Sequence, residues 1–375
     1  MDLCEALRET HRILILAPHF PGAARFERRD GLEIRRYRYF LAWGEQLPYE
    51  GGILPKLRLR PWLWLLVPFF MAALVLVTAR VLVREPVDLI HAHWLVPQGL
   101  AVRVARLCVG RAVPLICTAH GADVFGLRGA RARALQRWIA AGSVRVGAAS
   151  RSVANELAHR GVPASKLRVL SMGVAMRPVA LSPRSQELIA FAGRIVEKKG
   201  VGVLLDAFAR LAPGRPAARL VIAGGGPDLA KYREEAAARG LSDRVDFLGP
   251  LLHADVQALF SRAAVAAMPS VTARDGDAEG LGLVMLEAMA AGCPIAVTDQ
   301  PAMRDVVRPD ENALVFPEGD GAALAAALER LLADRNLAAR LAARAMQDVA
   351  AAYSWAAVAA RHAQAYAEAL AEGAP

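Results

Sequence analysis

Two glutamates carry the clearest chemical signal in this sequence of 375 residues. Glu279 and Glu287 stand eight positions apart in the segment EGLGLVMLEAMA, with glycines just after the first of them. This arrangement predicts a helix that begins near Gly282, with Glu279 in the loop before it and Glu287 well inside it. The free backbone N–H groups at the amino end of such a helix, at Gly282 and Leu283, can bind phosphate.

The two carboxylates suit different hydroxyl groups of one ligand. Glu279, in the loop, lies within reach of sugar hydroxyls. Glu287 lies in an otherwise apolar run, where a carboxylate needs a partner. Ribose hydroxyls would serve as that partner, and an internal salt bridge is the alternative.

A second segment, GRIVEKKG at 193–200, follows the apolar run 188–192. Arg194 and Lys199 are therefore expected at the carboxyl end of a strand. Two cations there can neutralise a diphosphate leaving group without a metal. We expect both side chains on an exposed surface, and the alternative is an ordinary solvated basic loop.

The third candidate is a histidine at a strand end. His120 follows the apolar run 115–119, and the glycine after it allows close backbone approach to a substrate. A lone histidine is more often structural, so this signal is weak by itself. His91 and His93 have the spacing of a metal-binding pair, but no further ligands stand at useful spacing. We therefore predict neither a metal nor a cofactor.

These residues are set among short apolar strands that alternate with amphipathic helices. Continuous apolar runs of this kind predict parallel strands buried on both faces. They form two series: 13–17, 89–92, 115–119, 144–148 and 167–170, then 188–192, 219–223, 245–248, 264–268 and 295–298.

The two series predict an α/β fold with two Rossmann-like domains. Residues 1–172 form the first domain, 173–185 a linker and 186–352 the second domain. The alanine-rich tail is expected to be helical with a break near 353–354, and its last part, 353–375, to cross back to the first domain. A ligand would bind in the cleft between the domains, at the carboxyl ends of the strands.

Taken together, the motifs resemble the family-4 glycosyltransferases of the GT-B fold. GRIVEKKG, HGAD at 120–123 and the E-x7-E element of EGLGLVMLEAMAAGCPIAV stand in the family's order along the chain. AGGGP at 223–227, VDFLG at 245–249 and MPS at 268–270 also match. DLIHAHW at 88–94 with PQG at 97–99 is similar to the exopolysaccharide and colanic-acid-type branch.

The resemblance implies a retaining, metal-independent transfer of a sugar from a nucleotide diphosphate sugar to a saccharide or polyprenyl-linked saccharide acceptor, in cell-surface polysaccharide synthesis. In this reading, His120 contacts the sugar at the reacting centre and Glu279 the donor sugar. Glu287 contacts the ribose, and Arg194 and Lys199 hold the diphosphate.

The sequence departs from the family pattern at its start. The first ten residues resemble the end of the family's first helix, so the opening strand and its glycine-rich loop have no counterpart. We expect the reading frame to continue upstream of Met1. The stretch 298–303 also lacks the usual paired glycines, and 173–175 lacks the usual acidic residue.

Two other functions stay open, and the missing opening segment favours the first of them. One is a catalytically weak subunit that binds a partner enzyme or the membrane. The other is a nucleotide-sugar epimerase of the same architecture, which would lack the E-x7-E element in this context.

Charge and one long apolar run point to a membrane surface. The net charge is +10, and because the basic residues are scattered without a nucleic-acid-binding module, we expect phosphates and an anionic membrane rather than nucleic acid as partners. Residues 61–79 carry no charge, which allows a spanning helix, a buried helix or an interfacial helix. The interfacial alternative is favoured by flanking cations and tryptophans, namely Lys56, Arg58, Arg60, Trp62 and Trp64.

The cysteines and the first residues indicate the compartment. None of the four cysteines, Cys4, Cys108, Cys117 and Cys293, belongs to a CxxC pair, so we expect free thiols in a reducing environment. MDLCEALRET has no apolar segment of a signal peptide. We expect a cytoplasmic protein, peripheral on the inner face of the membrane.

Overall fold

Short apolar runs become the strands of the protein, which we describe from a computed structural model covering residues 1–49, 53–176 and 184–373. The chain divides into two compact units. The first unit comprises 1–149, 154–170 and the chain from 359 onward, and the second comprises 150–153 and 171–358. Within the predicted linker, Pro178 and Pro183 lie outside the described residues.

Among the described residues, the first unit contains seven strands, six complete helices and the larger part of two more. The strands are β1 (Ile13–Pro18), β2 (Phe26–Arg29), β3 (Leu32–Tyr37), β4 (Ile90–His93), β5 (Leu115–Ala119), β6 (Arg145–Ala148) and β7 (Leu167–Val169). The helices are α1 (Asp2–Leu7), α2 (Ile53–Leu59), α3 (Val67–Arg84), α4 (Leu100–Val109), α5 (Ala122–Phe125), α6 (Ala130–Ala141), α7 (Arg151–His159) and the later part of α14 (Trp355–Gly373).

The strands of the first unit form two separate sheets. The parallel sheet β4-β5-β6-β7 lies apart from the three-stranded sheet β1-β3-β2, in which only β2 is antiparallel. Among the described residues, β1 pairs with β3 alone and β4 with β5 alone, so each has one edge without a strand partner.

The second unit is a single parallel sheet covered by helices. Its strands are β8 (Leu188–Ala192), β9 (Arg219–Ala223), β10 (Val245–Gly249), β11 (Val265–Met268), β12 (Ile295–Thr298) and β13 (Leu314–Phe316). Its helices are α8 (Val201–Leu211), α9 (Leu229–Ala238), α10 (His253–Arg262), α11 (Leu283–Ala290), α12 (Gly321–Ala333) and α13 (Arg335–Tyr353).

The strand order β10-β9-β8-β11-β12-β13 places the first strand, β8, in the centre of this sheet. Alternate residues of β8 face opposite cores, as the twofold period of a strand requires. Ile189 and Phe191 pack with α8 and α12, whereas Ala190 and Ala192 pack with α10 and α11. Because both faces are covered, the strands read as continuous apolar runs in the sequence.

The alanine-rich tail forms three helices rather than two. The expected break occurs at Ser354, whose backbone is extended between α13 and α14. A second break, which the sequence analysis missed, occurs at Asp334. The side chain of Asp334 accepts a hydrogen bond from the Leu337 N–H at 2.9 Å and so caps α13.

The long apolar run forms a short 3₁₀ segment, Pro61–Leu66, followed by α3. Pro68 lies in the first turn of α3, where no backbone donor is needed. Phe70, Leu74 and Leu82 are buried. The segment Pro61–Arg84 is long and apolar enough to cross a membrane, and a third of its most apolar stretch (33%) is buried within the protein.

Glycines allow the loops after β8 and β9 to lie against each other. A Cβ at Gly226 would overlap the backbone of Ile195. Gly226 has no left-handed φ, so the constraint there is space alone. Gly214, in the loop before β9, is open by contrast, because the nearest atom to a Cβ would lie 3.8 Å away.

We expect Gly226→Ala to destabilise the second unit by about 1–3 kcal/mol, the usual cost of forcing extra volume into a packed site. Gly214→Ala makes the same chemical change without the overlap, and it should leave the free energy of unfolding nearly unchanged. Urea denaturation of both variants measures the difference. Equal stabilities of the two variants would show that the loops do not approach as described.

Candidate functional site

The strand order of the second unit reverses between β8 and β11, and parallel sheets bind ligands at such a point. The loops that follow these two strands touch each other. The Val271 N–H donates to the Lys198 carbonyl at 2.8 Å. Gly200, with φ 65°, lies so close to Pro269 that a Cβ would overlap the Pro269 carbonyl. The segment GRIVEKKG is thus held at the switch point of the sheet.

An ion pair connects the first two motifs. The Lys199 Nζ lies 2.6 Å from a carboxylate oxygen of Glu279, and the two side chains are 17% and 9% exposed. Next to it, Lys198 pairs with Asp277 at 3.1 Å. The expectation that Lys199 stands on an exposed surface is therefore wrong, because its ammonium is drawn toward a buried carboxylate.

Glu279 is held in its ionised form. Burial alone would raise the pKa of Glu279, but the charge and hydrogen bond of Lys199 outweigh burial and bring the pKa below its usual value. The Gly282 N–H also stabilises this carboxylate. An ionised, partly desolvated carboxylate in this position can accept hydrogen bonds from the hydroxyls of a ligand.

Helix α11 begins at Leu283, as the glycine pattern predicts. Gly282 precedes it with φ 75°, a left-handed conformation that glycine adopts without strain. Glu287 lies inside α11, and the His253 Nδ1 of α10 is 3.4 Å from its carboxylate. This contact is the internal salt bridge that the sequence left open, and it requires a protonated His253. Burial raises the pKa of Glu287, whereas the charges of His253 and then Lys199 lower it.

The backbone brings Arg194 to the same end of the sheet. It follows β8 directly after Gly193, whose N–H donates to the Ala223 carbonyl at 2.9 Å. The Cε of Lys199 lies 3.7 Å from the position that a Cβ of residue 193 would take. Arg194, Lys199, Glu279, Gly282, Leu283 and Glu287 all belong to the second unit.

His120 belongs to the first unit, where it follows β5. Its Nε2 lies 3.2 Å from the Nδ1 of His93, at the end of the neighbouring strand β4. The indole of Trp94 packs beside it, with ring centroids 5.1 Å apart. Trp94 has φ 82°, which is uncommon for a bulky residue and indicates a backbone fixed by its surroundings.

His91, the first histidine of the H-x-H pair, has other partners. The two ring nitrogens of His91 hydrogen-bond the Tyr366 hydroxyl at 2.7 Å and the Thr118 hydroxyl at 2.8 Å. His91 thus connects α14 to the sheet. Within the described residues, no group of three or more His, Cys, Asp or Glu side chains is placed to hold a metal ion.

Sequence reasoning missed Asp123, which fastens the loop that carries His120. Its Oδ1 accepts from the His120 N–H at 3.0 Å, and its Oδ2 accepts from the Leu95 N–H at 2.8 Å. Burial raises the pKa of Asp123 to about 6, against the opposing effect of these backbone donors. The signal was available, since an aspartate three residues after a histidine can turn back to its backbone.

The imidazoles near His120 are kept neutral. Burial and then neighbouring imidazoles lower the pKa of His120 to about 3. Burial and the same kind of repulsion lower the pKa of His93 to about 4. At neutral pH both rings can hydrogen-bond a ligand without adding charge.

These pKa values predict that the first unit loses stability in weak acid. An unfolded histidine titrates near its ordinary pKa of about 6.5, whereas folded His93 and His120 resist protonation. As pH falls below about 6.5, the unfolded chain takes up more protons, and the free energy of unfolding decreases. We expect the Tm to fall between about pH 7.5 and about pH 5, and to fall less in His93→Asn.

Calorimetry at both pH values tests this by comparing the change in Tm of the wild-type protein with that of His93→Asn. Asp123 acts with the opposite sign, because a raised carboxyl pKa favours the folded state at low pH. Its contribution is common to both proteins and cancels in the comparison. Equal pH shifts in wild type and His93→Asn would mean that His93 is not held neutral by burial.

Comparisons with known proteins agree with these motifs. The family model of Glycosyltransferase Family 4 matches residues 1–177, and that of Glycosyl transferases group 1 matches residues 175–348. The amylovoran biosynthesis glycosyltransferase AmsK of Erwinia amylovora is 32% identical over 186 residues, which cover 48% of this chain and 46% of AmsK. That match therefore spans less than half of the relative.

A second relative is matched over more of its length. The GDP-mannose-dependent alpha-(1-6)-phosphatidylinositol monomannoside mannosyltransferase of Mycobacterium tuberculosis is 30% identical over 275 residues, which cover 70% of this chain and 71% of the relative.

Solved structures show the same fold. Sucrose-phosphate synthase from Thermosynechococcus elongatus has a TM-score of 0.79 at 24% identity, covering 99% of this chain and 92% of that one. HepE of Anabaena, in complex with UDP and glucose, has a TM-score of 0.74 at 18% identity, covering 98% and 94%. With two parallel-sheet units in the chain itself, the predicted α/β architecture is confirmed. The chain belongs to the family-4 glycosyltransferases of the GT-B fold and is similar to their exopolysaccharide-type members.

Proposed function

We propose that this glycosyltransferase moves a sugar from a nucleotide diphosphate sugar to a saccharide or polyprenyl-linked saccharide acceptor, with retention of configuration and without a metal. The observation that carries the proposal is the Lys199–Glu279 ion pair at the switch point of the second unit. It places a cation and an ionised carboxylate next to the start of α11.

The cationic groups suit a departing diphosphate. Lys199 has three donors, so its ammonium can bind a phosphate oxygen and keep one contact with Glu279. Arg194 adds a second cation, and the Leu283 N–H adds a donor at the amino end of α11, next to the Gly282 N–H that bonds Glu279. Together they would stabilise the negative charge that develops as the sugar leaves.

The two glutamates would then act on different parts of the donor. Because Lys199 contacts one oxygen of Glu279, the other carboxylate oxygen would accept hydrogen bonds from hydroxyls of the transferring sugar. Glu287 exchanges its long contact with His253 for the ribose hydroxyls. The neutral imidazole of His120 would hydrogen-bond a hydroxyl group of the transferring sugar near its reacting carbon.

The similar proteins support the class of donor but do not identify one donor. HepE is solved with UDP and glucose, and the mycobacterial relative is named as dependent on GDP-mannose. Both involve a nucleoside diphosphate, yet the base and the sugar differ. We therefore extend only the class, a nucleotide diphosphate sugar, to this chain.

Among the described strands, β1 and β4 each have one edge without a strand partner, which favours one alternative, a catalytically weak subunit that binds a partner enzyme or the membrane. Incubation with labelled nucleotide sugars and a polyprenyl-linked acceptor separates the two functions. An enzyme transfers the label or slowly hydrolyses the donor, whereas a weak subunit does neither.

We further propose that α3 and the segment before it hold the enzyme on the cytoplasmic face of an anionic membrane. Every exposed residue between 61 and 79 is apolar. Leu65, Phe69 and Leu76 are 73%, 53% and 68% exposed, although a surface helix normally turns polar side chains to water. Trp62 and Trp64 are also exposed, as suits the headgroup boundary.

Cations flank the exposed apolar face, as binding to an anionic bilayer requires. Arg60 precedes it, and Arg80 and Arg84 follow it on exposed positions. Lys56, expected to contribute, instead donates to the Gln46 carbonyl at 3.0 Å, and the side chain of Arg58 lies outside the described part of the structure. The opposite face of α3 packs inside the first unit, which favours an interfacial helix over a spanning one.

We expect Glu287→Ala to weaken the binding of free nucleoside diphosphate by about 1.5–3 kcal/mol, the usual worth of a hydrogen bond to a charged group. Glu279→Ala should leave this affinity unchanged or raise it, because it releases Lys199 for the diphosphate, and it should lower kcat. Calorimetric titration with UDP and GDP, together with transfer rates, distinguishes the two variants.

Glu234→Ala is the matched control, since it removes an exposed helix glutamate from the same unit. It should change neither affinity nor rate. Wild-type affinity in Glu287→Ala would show that the ribose assignment is wrong. A loss of nucleotide affinity in Glu279→Ala would remove the proposed division between the two carboxylates.

We expect the wild-type protein to float with vesicles that contain anionic lipid, and to float less as salt is raised, because screening weakens the attraction of the flanking arginines. The double variant Leu65→Glu/Leu76→Glu should lose flotation. Leu252→Glu introduces the same charge at a residue that is 77% exposed in the second unit, and it should float like wild type.

Extraction with alkaline carbonate distinguishes an interfacial helix from a membrane-spanning helix. Release of the protein supports the interfacial helix. Retention in the membrane pellet would instead indicate that Pro61–Arg84 crosses the bilayer. Flotation that survives both glutamates would place the binding surface elsewhere.

A further inference from the structure

The H-x-H pair of β4 is a chemical motif that the proposed transfer has not used. Its two histidines have different surroundings. His91 has both ring nitrogens bonded to hydroxyls, of Tyr366 and Thr118. His93 meets another imidazole, that of His120, through one nitrogen. His91 therefore anchors α14, whereas His93 contacts the candidate site residue His120.

We infer that His93 is a positioning residue, which holds His120 through its Nε2 and so leaves the Nδ1 of His120 as the nitrogen that meets the substrate. The inference deepens the proposed function, since it rests on the role of His120 in sugar transfer. It concerns two residues of the first unit and their mutual geometry.

The geometry is that of two rings joined edge to edge. The Nδ1 of His93 lies 3.2 Å from the Nε2 of His120, the ring planes differ by 21°, and the centroids are 5.3 Å apart. Nearly coplanar rings with such a short distance between nitrogens share a hydrogen along the line between them. Neither the Nε2 of His93 nor the Nδ1 of His120 has a partner among the described residues.

A shared hydrogen couples the tautomers of the two rings, because one ring must donate where the other accepts. A neutral imidazole has one N–H donor and one acceptor nitrogen. If His120 donates through Nε2, its Nδ1 is an acceptor, and if it accepts there, its Nδ1 is a donor. Either state gives the free nitrogen one defined role toward a sugar hydroxyl. The low pKa values of both rings agree with a neutral pair at pH 7.

The backbone around the pair is fixed as well. The N–H of Trp94 donates to the Thr118 carbonyl at 2.7 Å, which joins the ends of β4 and β5. Asp123 binds the backbone of both following loops, at Leu95 and His120. With the two backbones held, the remaining freedom of His120 is rotation of its ring, and the contact with His93 removes it.

Two substitutions separate positioning from packing. His93→Leu keeps much of the volume and removes the hydrogen bond. His93→Asn retains an amide group near the position of Nδ1 and can still bond His120. His159→Leu, at an exposed site on α7, is the control for removal of a histidine.

We expect His93→Leu to lower kcat by about a hundredfold, the order of loss that misplacement of a reacting group causes. The KM for donor and the affinity for nucleoside diphosphate should stay at wild-type values. His93→Asn should recover most of the lost rate, and His159→Leu should match wild type. A rise in the KM for donor without a loss of kcat in His93→Leu, or a wild-type kcat in that variant, would overturn the inference.

Nitrogen NMR of the imidazole rings tests the pair without any activity. The His120 signals, assigned by their loss in His120→Asn, should show one neutral tautomer in wild type and a mixture in His93→Leu. An unchanged single tautomer in His93→Leu would contradict the inference. If no transfer occurs in any variant but the tautomer changes, the proposed function fails while the pairing stands. If His93→Leu does not fold, His93→Gln, whose amide lies beyond the Nδ1 position, takes its place in both measurements.

Discussion

The ion pair between Lys199 and Glu279 is the interaction on which the arrangement of the second unit's candidate residues depends. Glu279 is buried, and a buried carboxylate without a partner would be strongly destabilising. Lys199 satisfies it from a loop that stands 80 positions earlier in the chain. The pair can form only because Gly200 lets that loop lie against Pro269. Small residues thus determine where the charges meet.

The first unit solves a similar problem without a cation. Asp123 is buried too, but its carboxylate is satisfied by backbone N–H groups, and its pKa rises rather than falls. A raised pKa means that the surroundings do not favour charge at this place. The neighbouring imidazoles of His93 and His120 follow the same rule and lose their protons readily. The loop that carries His120 is therefore organised by backbone N–H donors to Asp123 and by neutral imidazoles, not by a cationic side chain.

Strands buried on both faces could be predicted from the sequence, because continuous apolar runs such as 188–192 leave little ambiguity. The start of α11 could be predicted as well, since Gly282 marks it. The hairpin of β2 and β3 was missed because only one face is buried: Leu32 and Ile34 point inward between charged neighbours. The direction of the Lys199 side chain could not be predicted, because it depends on a partner distant in sequence. The residue roles stay predictions.

With the proposed roles, the charged residues of the second unit and the neutral histidines of the first unit match what a glycosyl transfer requires. The leaving diphosphate gains negative charge, which cations and helix N–H groups can stabilise. Lys199 and the amino end of α11 would provide these groups. The sugar becomes positively charged in an oxocarbenium-like transition state. A protonated histidine at that point would repel the sugar. An imidazole with a pKa of about 3, as at His120, can hydrogen-bond a hydroxyl and add no charge of its own. With the proposed role of His120, burial of the histidine cluster would serve the transfer as well as the packing of the first unit.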